Sequence, residues 1–432
     1  MNSKSILYLC CVLFLAGNLL AQVPSPAPAQ KTPILVQGGT IHIGNGQVID
    51  KGDIRIENGK ITYIGASQQA STTDAEVINA AGKHVYPGLI LLNTVLGLTE
   101  IGAVRATVDE QETGQINPHV RSIIAYNTDS EVIAVTRSNG ILLAQVTPQG
   151  GLVSGTSSVV QLDAWNWEDA AFKTDEGLHI NWVSMFQRPN FFAGETAVKK
   201  NERRKEVLQQ ADNLFKEAYG YAQIINPPVI NARLEAMKGI FDGSKKVYIH
   251  ADRAKEIMEA VKFAQDNKVK NIVIVGGIES YMITDFLKNN NISVILNHTF
   301  NLPSRVDDDV DLPYKMPYLL QKAGVKYAIG YEENHTQARN LPFAAGLAAG
   351  YGLSKEEALT SISLSPAQIL GIADRTGSLE QGKDGTLIIS EGDILDMRTS
   401  KVTHALIQGR KVNLDDKHKR LYQKFKTKYD NK

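Results

Sequence analysis

Pro87-Gly88-Leu89-Ile90-Leu91-Leu92-Asn93-Thr94-Val95-Leu96-Gly97 governs how the rest of this 432-residue chain is read. Short strand-like segments precede it, and a longer alternation of strand and helix patterns follows it. The segment therefore opens the larger unit of the chain. Alternate residues of a strand face the same side, so Asn93 and Val95 form a pair on one face. Valine cannot ligate a metal, and asparagine offers only a weak amide oxygen.

Upstream, residues 34–36, 40–43, 53–56 and 61–64 are strand-like. Gly44-Asn45-Gly46 and Glu57-Asn58-Gly59-Lys60 read as turns between them. Downstream, residues 201–222 are charged and carry helical apolar spacing at Val207, Ala211, Leu214 and Ala218. Strands are expected at 246–250, 271–275, 293–296 and 327–330. Helices are expected at 253–267 and 280–288, and again between 341 and 370. Repeated strand–helix units imply a parallel sheet. A closed eight-stranded barrel suits the length best, and an open sheet is the alternative. After Asp374, strand patterns return at 377–380, 386–390 and 402–407. The expected fold class is α/β: a TIM-like (β/α)8 barrel over residues 87–374, with a small composite β-sandwich made from residues 34–86 and 375–412.

Lys4, the apolar run from 6 to 20 and Ala21 read as a signal peptide over residues 1–21, followed by a Pro/Ala-rich linker over 22–33. The expected location is outside the cytoplasm, periplasmic or extracellular. Both cysteines, Cys10 and Cys11, fall in that peptide, so the processed chain would have neither disulfides nor thiolate ligands. Basic and acidic residues number 46 each, which argues against nucleic acid as a partner. No other stretch reads as an integral membrane segment. Residues 413–432 form a lysine-rich tail in which Leu421, Tyr422 and Phe425 suit one side of a helix that either docks or stays solvated.

Residues 87–97 resemble the first barrel strand of the amidohydrolase superfamily, where the pattern is Pro-Gly-Leu-Ile-Asp, any residue, His, any residue, His. Residues 34–65, Gly377-Ser378-Leu379-Glu380-Gln381-Gly382-Lys383-Asp384, Ala338-Arg339-Asn340-Leu341-Pro342 and Ser365-Pro366-Ala367-Gln368-Ile369-Leu370-Gly371 resemble other segments of that family. The imidazolonepropionase-like branch is the most similar. The resemblance implies hydrolysis of carbon–nitrogen bonds other than peptide bonds, in a small cyclic amide-like compound. Its chemistry is a metal-activated hydroxide at the barrel mouth, with an aspartate moving protons.

Carried over residue by residue, the resemblance predicts a depleted ligand set. Leu91 stands for the aspartate of the first strand, and Asn93 and Val95 stand for its two histidines. His250 matches the fifth-strand histidine. The sixth-strand histidine falls at Val275 or Gly276 and is absent. Glu332 takes the place of the eighth-strand aspartate. His250 and Glu332 are thus the candidate catalytic residues. With His298 or His335 they would form a rebuilt site for one divalent metal, zinc or manganese. A hydrogen-bonded pair of His250 and Asp252 without metal is the competing arrangement. Ser154 and Gly155, in the loop Gly150-Gly151-Leu152-Val153-Ser154-Gly155, are candidate ligand-binding residues because glycines let backbone N–H groups approach an anion. Ser157 lacks a neighbouring base in sequence and is not expected to act as a nucleophile. Trp165, Trp167 and Trp182 are candidate pocket walls. Of the remaining histidines, only His119 suggests a site contact. The alternative to an enzyme is a non-catalytic relative that binds a small ligand. It could also pair with a homologous active chain, or with further copies of itself.

Overall fold

The computed structural model describes residues 24–67, 73–187, 197–297, 299–303, 305–331 and 335–430. The proposed signal peptide, His298 and Glu332 lie outside them.

Strands of both chain ends build one hydrogen-bonded sheet. Strands β1 (Ile34–His42), β2 (Val48–Glu57), β3 (Lys60–Ala66), β4 (Glu76–Asn79) and β5 (His84–Pro87) are joined by three later strands near the C-terminus. Pairing of Ile388 with Tyr86, and of Leu387 with Pro87, connects the two groups. Ile34, Val36, Ile54, Ile56, Val85, Leu387 and Leu406 meet in a core of their own. The stretch 377–380 forms no strand. Ser378 and Lys383 instead hold Glu380 in a turn, because their side-chain donors both reach its carboxylate.

The barrel follows. β6 (Leu89–Thr94), β7 (Ile141–Val146), β8 (Val153–Gln161) and β9 (Ala171–Asn181) are succeeded by a two-residue ladder of β10 (Phe186–Gln187) with β11 (Lys199–Lys200). β12 (Lys246–Ala251), β13 (Ile272–Gly276), β14 (Ser293–Leu296) and β15 (Tyr327–Ile329) complete the wall. The barrel sheet runs β15-β14-β13-β12-β9-β8-β7-β6. The remaining strands, β16 (Leu387–Ser390), β17 (Val402–Ile407) and β18 (Arg410–Lys411), are those that return to the first sheet.

The expected all-parallel barrel has one exception: β8 is antiparallel to both β7 and β9. The reason is connection length. Residues 147–152 are too few for a parallel crossover, which takes a dozen or more residues, so the chain turns straight back. The seam between β15 and β6 is not a strand pair. Ile329 N–H donates to Ser361 O at 3.0 Å and Ile90 N–H donates to Ile362 O at 3.0 Å, so the backbone between two helices fills the gap. A buried ion-pair triad fastens the barrel to the other sheet: Asp163 accepts from Arg137 and from Arg410, each at 2.9 Å. Helices Arg204–Ala222, Ala232–Asp242, Ala254–Asp266 and Leu312–Ala323 cover the later strands with their apolar faces.

Candidate functional site

Ligand sites of such barrels lie where the strands end at their C-terminal side. The ends of β12, β13 and β14 surround a cavity of about 440 Å³. Asp252, Gly276, Leu296, Thr299, Asp308 and Met316 are among its walls. Two carboxylates thus face a mainly apolar space of a size usual for small-molecule sites.

Gly276 and Asn93, two of the positions singled out in the sequence, have unusual backbone geometry. Gly276 has φ +98°, and a Cβ there would overlap Asp252 Oδ1. No side chain fits there without a shift, and Gly276 forms part of the cavity wall. Asn93 has φ +50° and ends the regular ladder of β6, where the register with β7 breaks between Leu91 and Thr94. The shared-face geometry expected for Asn93 and Val95 fails for that reason: alternation of side chains requires extended backbone at each residue. Asparagine tolerates the left-handed region better than most residues. Among the described residues its buried amide has no hydrogen-bond partner at either Oδ1 or Nδ2. Val95 packs, half-buried, on the barrel core.

His250 is not isolated. Its Nε2 lies 3.0 Å from Nδ1 of His179, whose Nε2 lies 2.8 Å from Ser157 Oγ. Ser157 donates to Glu176 Oε1 at 2.8 Å, and Tyr248 OH donates to Glu176 Oε2 at 2.8 Å. Gln145 Nε2 donates to the same Glu176, while its Oε1 accepts from Asn93 N–H at 3.1 Å. A polar chain drawn from β6, β7, β8, β9 and β12 therefore crosses the barrel interior. The serine proton goes to the carboxylate, which assigns the rest. His179 Nε2–H donates to Ser157, His179 Nδ1 accepts from His250 Nε2–H, and Nδ1 of His250 carries the free lone pair. His179 stacks on Tyr248 with ring centroids 4.7 Å apart. Gly177 makes room for this stack, since a Cβ there would collide with the Tyr248 ring.

Burial keeps both imidazoles neutral. It lowers His250 from 6.5 to about 4, and it lowers His179 well below 6.5 with a smaller contribution from His250 itself. The unfolded chain takes up protons near 6.5, and the folded chain does so only near 4. Stability from this pair is therefore full above about pH 6.5 and declines as the pH falls toward 4. Between pH values of about 7 and 4.5, His250 should account for about 2 kcal/mol of lost stability. Urea unfolding of the wild type and of His250→Gln at the two pH values measures it. An equal acid-induced loss in both chains would remove His250 as the cause.

The other sequence candidates fall into place as follows. Among the described residues, no group of three His, Cys, Asp or Glu side chains could hold a metal. His250 is engaged with His179, and His335 Nε2 lies 3.4 Å from the backbone oxygen of Glu100. The partner of His250 shown by the geometry is thus His179 of β9, a residue that, like Glu176, carries no motif in the sequence. The available signal was the charged residue in Glu176-Gly177-Leu178-His179-Ile180, an otherwise apolar buried strand. Ser154 is buried and accepts from Asn181 Nδ2 at 3.1 Å. The N–H groups of Leu152 and Val153 donate to Gln115 O and that of Thr156 to Val120 O, so these donors of the glycine loop are spent inside the protein. Ser154 and Gly155 themselves lie in β8, the strand paired with β9. Ser157 does have a histidine beside it, but both are fully buried, so it is not a reachable nucleophile. Trp165 is 67% exposed, whereas Trp182 is buried and donates its backbone N–H to His250 O at 3.0 Å. His119 is exposed.

Comparison with known proteins agrees with the architecture. The amidohydrolase family model matches residues 314–414. The chain is 22% identical over 403 residues to a dihydroorotase of Pelotomaculum thermopropionicum, covering 84% of this chain and 89% of that protein. It is 21% identical over 389 residues to amidohydrolase tasK of Hapsidospora irregularis, covering 81% of this chain but only 39% of the longer relative. The structure of an amidohydrolase from Thermotoga maritima superposes with a TM-score of 0.78 at 26% identity, over 88% of this chain and 99% of that one. A zinc-bound adenosine deaminase from Xanthomonas campestris shares the fold, with a TM-score of 0.54 at 15% identity over 93% of this chain and 98% of its own.

Proposed function

We propose that this chain, a member of the amidohydrolase superfamily, is a divergent carbon–nitrogen hydrolase relative whose barrel mouth receives a small cyclic amide-like ligand without the usual two-metal centre. The superfamily usually binds divalent metals, and the residues described here do not fit such a pair. Asn93 and Val95 cannot supply the first-strand ligands, and the Gly276 backbone excludes the sixth-strand one. The observation that carries the reading is the cavity itself. Where a ligand histidine would stand, Gly276 opens space and Asp252 presents a carboxylate. Amide or ureide N–H groups complement the carboxylates of Asp252 and Asp308, and the apolar walls suit a compact ring. If bond cleavage occurs, we take His250 as the base, two residues before the cavity-lining Asp252 on the same chain segment, with its Nε2 held by His179 and its Nδ1 left to accept a proton.

A second reading is favoured by the same loss of ligands: a binding protein without turnover, or a partner of an active homologous chain. One experiment separates the readings. The purified protein is incubated with zinc or manganese, its metal content is measured, and its turnover of a panel of cyclic amides is compared with that of His250→Ala. The expected result is no stoichiometric metal dependent on His250, together with saturable ligand binding to both chains. Any turnover should fall about 100-fold or more in the variant. One tightly held metal per chain, lost in His250→Ala, would replace this proposal by a rebuilt single-metal site that includes Glu332 and His298 or His335. Binding without turnover in either chain would establish the non-catalytic reading.

A further inference from the structure

The C-terminal helix, Lys417–Asp430, is rooted at one end and bare over the rest. Asp416 Oδ1 accepts from the N–H groups of His418 and Lys419 at 2.8 and 3.0 Å, capping the first turn. Arg420 pairs with Glu131 at 2.8 Å. Every residue from 421 to 430 is exposed, and the helix has no buried residue at all. A helix of this length is marginal in water by itself, so its stability calls for a surface to lie on.

Its sequence is sorted by face. Leu421, Tyr422 and Phe425 share one side and Tyr429 continues it; they are 42%, 63%, 51% and 60% exposed. His418 lies on the same side one turn earlier. Lys417 and Lys428 border the apolar strip on one edge, and Lys419 and Lys426 border it on the other. Six basic residues stand against a single acidic one, Asp430, over the helix. Two copies meeting through this strip would bring two strongly positive helices together, which Coulomb repulsion opposes. A negatively charged planar surface has the opposite effect. Long lysine stems can lie along apolar material with their ammonium groups at phosphate level, while Leu and aromatic side chains enter the acyl boundary.

We infer that the helix Lys417–Asp430 docks this protein on the surface of a bilayer containing anionic phospholipid. The attachment is peripheral, since among the described residues no helix is long and apolar enough to cross a membrane. None of its residues is among those lining the cavity at the barrel mouth, so docking is independent of whether that site turns over a substrate.

The test is co-sedimentation of the purified chain with phosphatidylcholine vesicles made with and without phosphatidylglycerol. Binding is expected only to the anionic vesicles, with release as salt is raised. Replacing Lys417, Lys419, Lys426 and Lys428 by glutamine should lower partition about five-fold for each lysine removed. F425D should lower it about ten-fold or more. Because these positions are exposed, urea midpoints should match the wild type and separate docking from folding. Absence of binding to anionic vesicles would overturn the proposal, as would unchanged partition in both variants. A concentration-dependent dimer that F425D dissociates, with no vesicle binding, would overturn it in favour of a second copy. Binding to duplex DNA in place of vesicles would overturn it in favour of nucleic acid.

Discussion

Replacing Gly276 by histidine, to place an imidazole at the end of β13, is expected to destabilise the protein by about 3 kcal/mol and to create no zinc site. Two costs add. The residue sits at φ +98°, where a side chain strains the backbone by about 1–2 kcal/mol. Its Cβ would also overlap Asp252 Oδ1, so the short aspartate side chain must leave its place against the cavity. Gly276→Ala carries both costs without the imidazole, and it should lose nearly as much. Urea unfolding with an unchanged slope gives the energies, and calorimetric titration with zinc gives the binding. A histidine variant as stable as the wild type, or one that binds zinc tightly, would show that the position remains a usable ligand site.

Removing the acceptor at the centre of the barrel's polar chain should cost more. Glu176→Ala is expected to lower stability by about 3–5 kcal/mol, since it strands buried donors on Gln145, Ser157 and Tyr248 and leaves a void. Tyr248→Phe removes only one donor and keeps the ring stacked on His179, so about 1 kcal/mol is expected. The contrast between the two is the informative quantity. If Glu176→Ala cost no more than Tyr248→Phe, the chain of hydrogen bonds would be incidental to the fold. The same pair reports on His250, because Glu176 directs the Ser157 proton that fixes the tautomer of His179. In Glu176→Ala, the imidazole nitrogen resonances of His250 should show a mixture of tautomers, whereas Tyr248→Phe should retain a single one.

The barrel was legible in sequence because its signals are local. Val247-Tyr248-Ile249 and Ile272-Val273-Ile274-Val275 are apolar runs of strand length, the first followed by a helix of amphipathic spacing and the second by a shorter helical segment. The reversal of β8 was also local, in the shortness of 147–152 with its two glycines, although repeated strand–helix periodicity hid it. The site was only partly legible. That His250 lies at a strand end could be read off. Its partner could not, because His179 is 71 residues away and meets it only when β9 and β12 pair in register.

The amino-acid sequence alone determined which ligand atoms this protein can offer. Asn93, Val95 and Gly276 carry no imidazole, and no folding supplies a missing functional group. The tertiary structure decided what fills those places. It bent the strand at Asn93, opened a cavity over the Gly276 backbone beside Asp252, and joined His250 to His179, Ser157 and Glu176. These outcomes depend on long-range strand register and on the cost of burying polar groups without partners, two quantities that exist only once the barrel has closed.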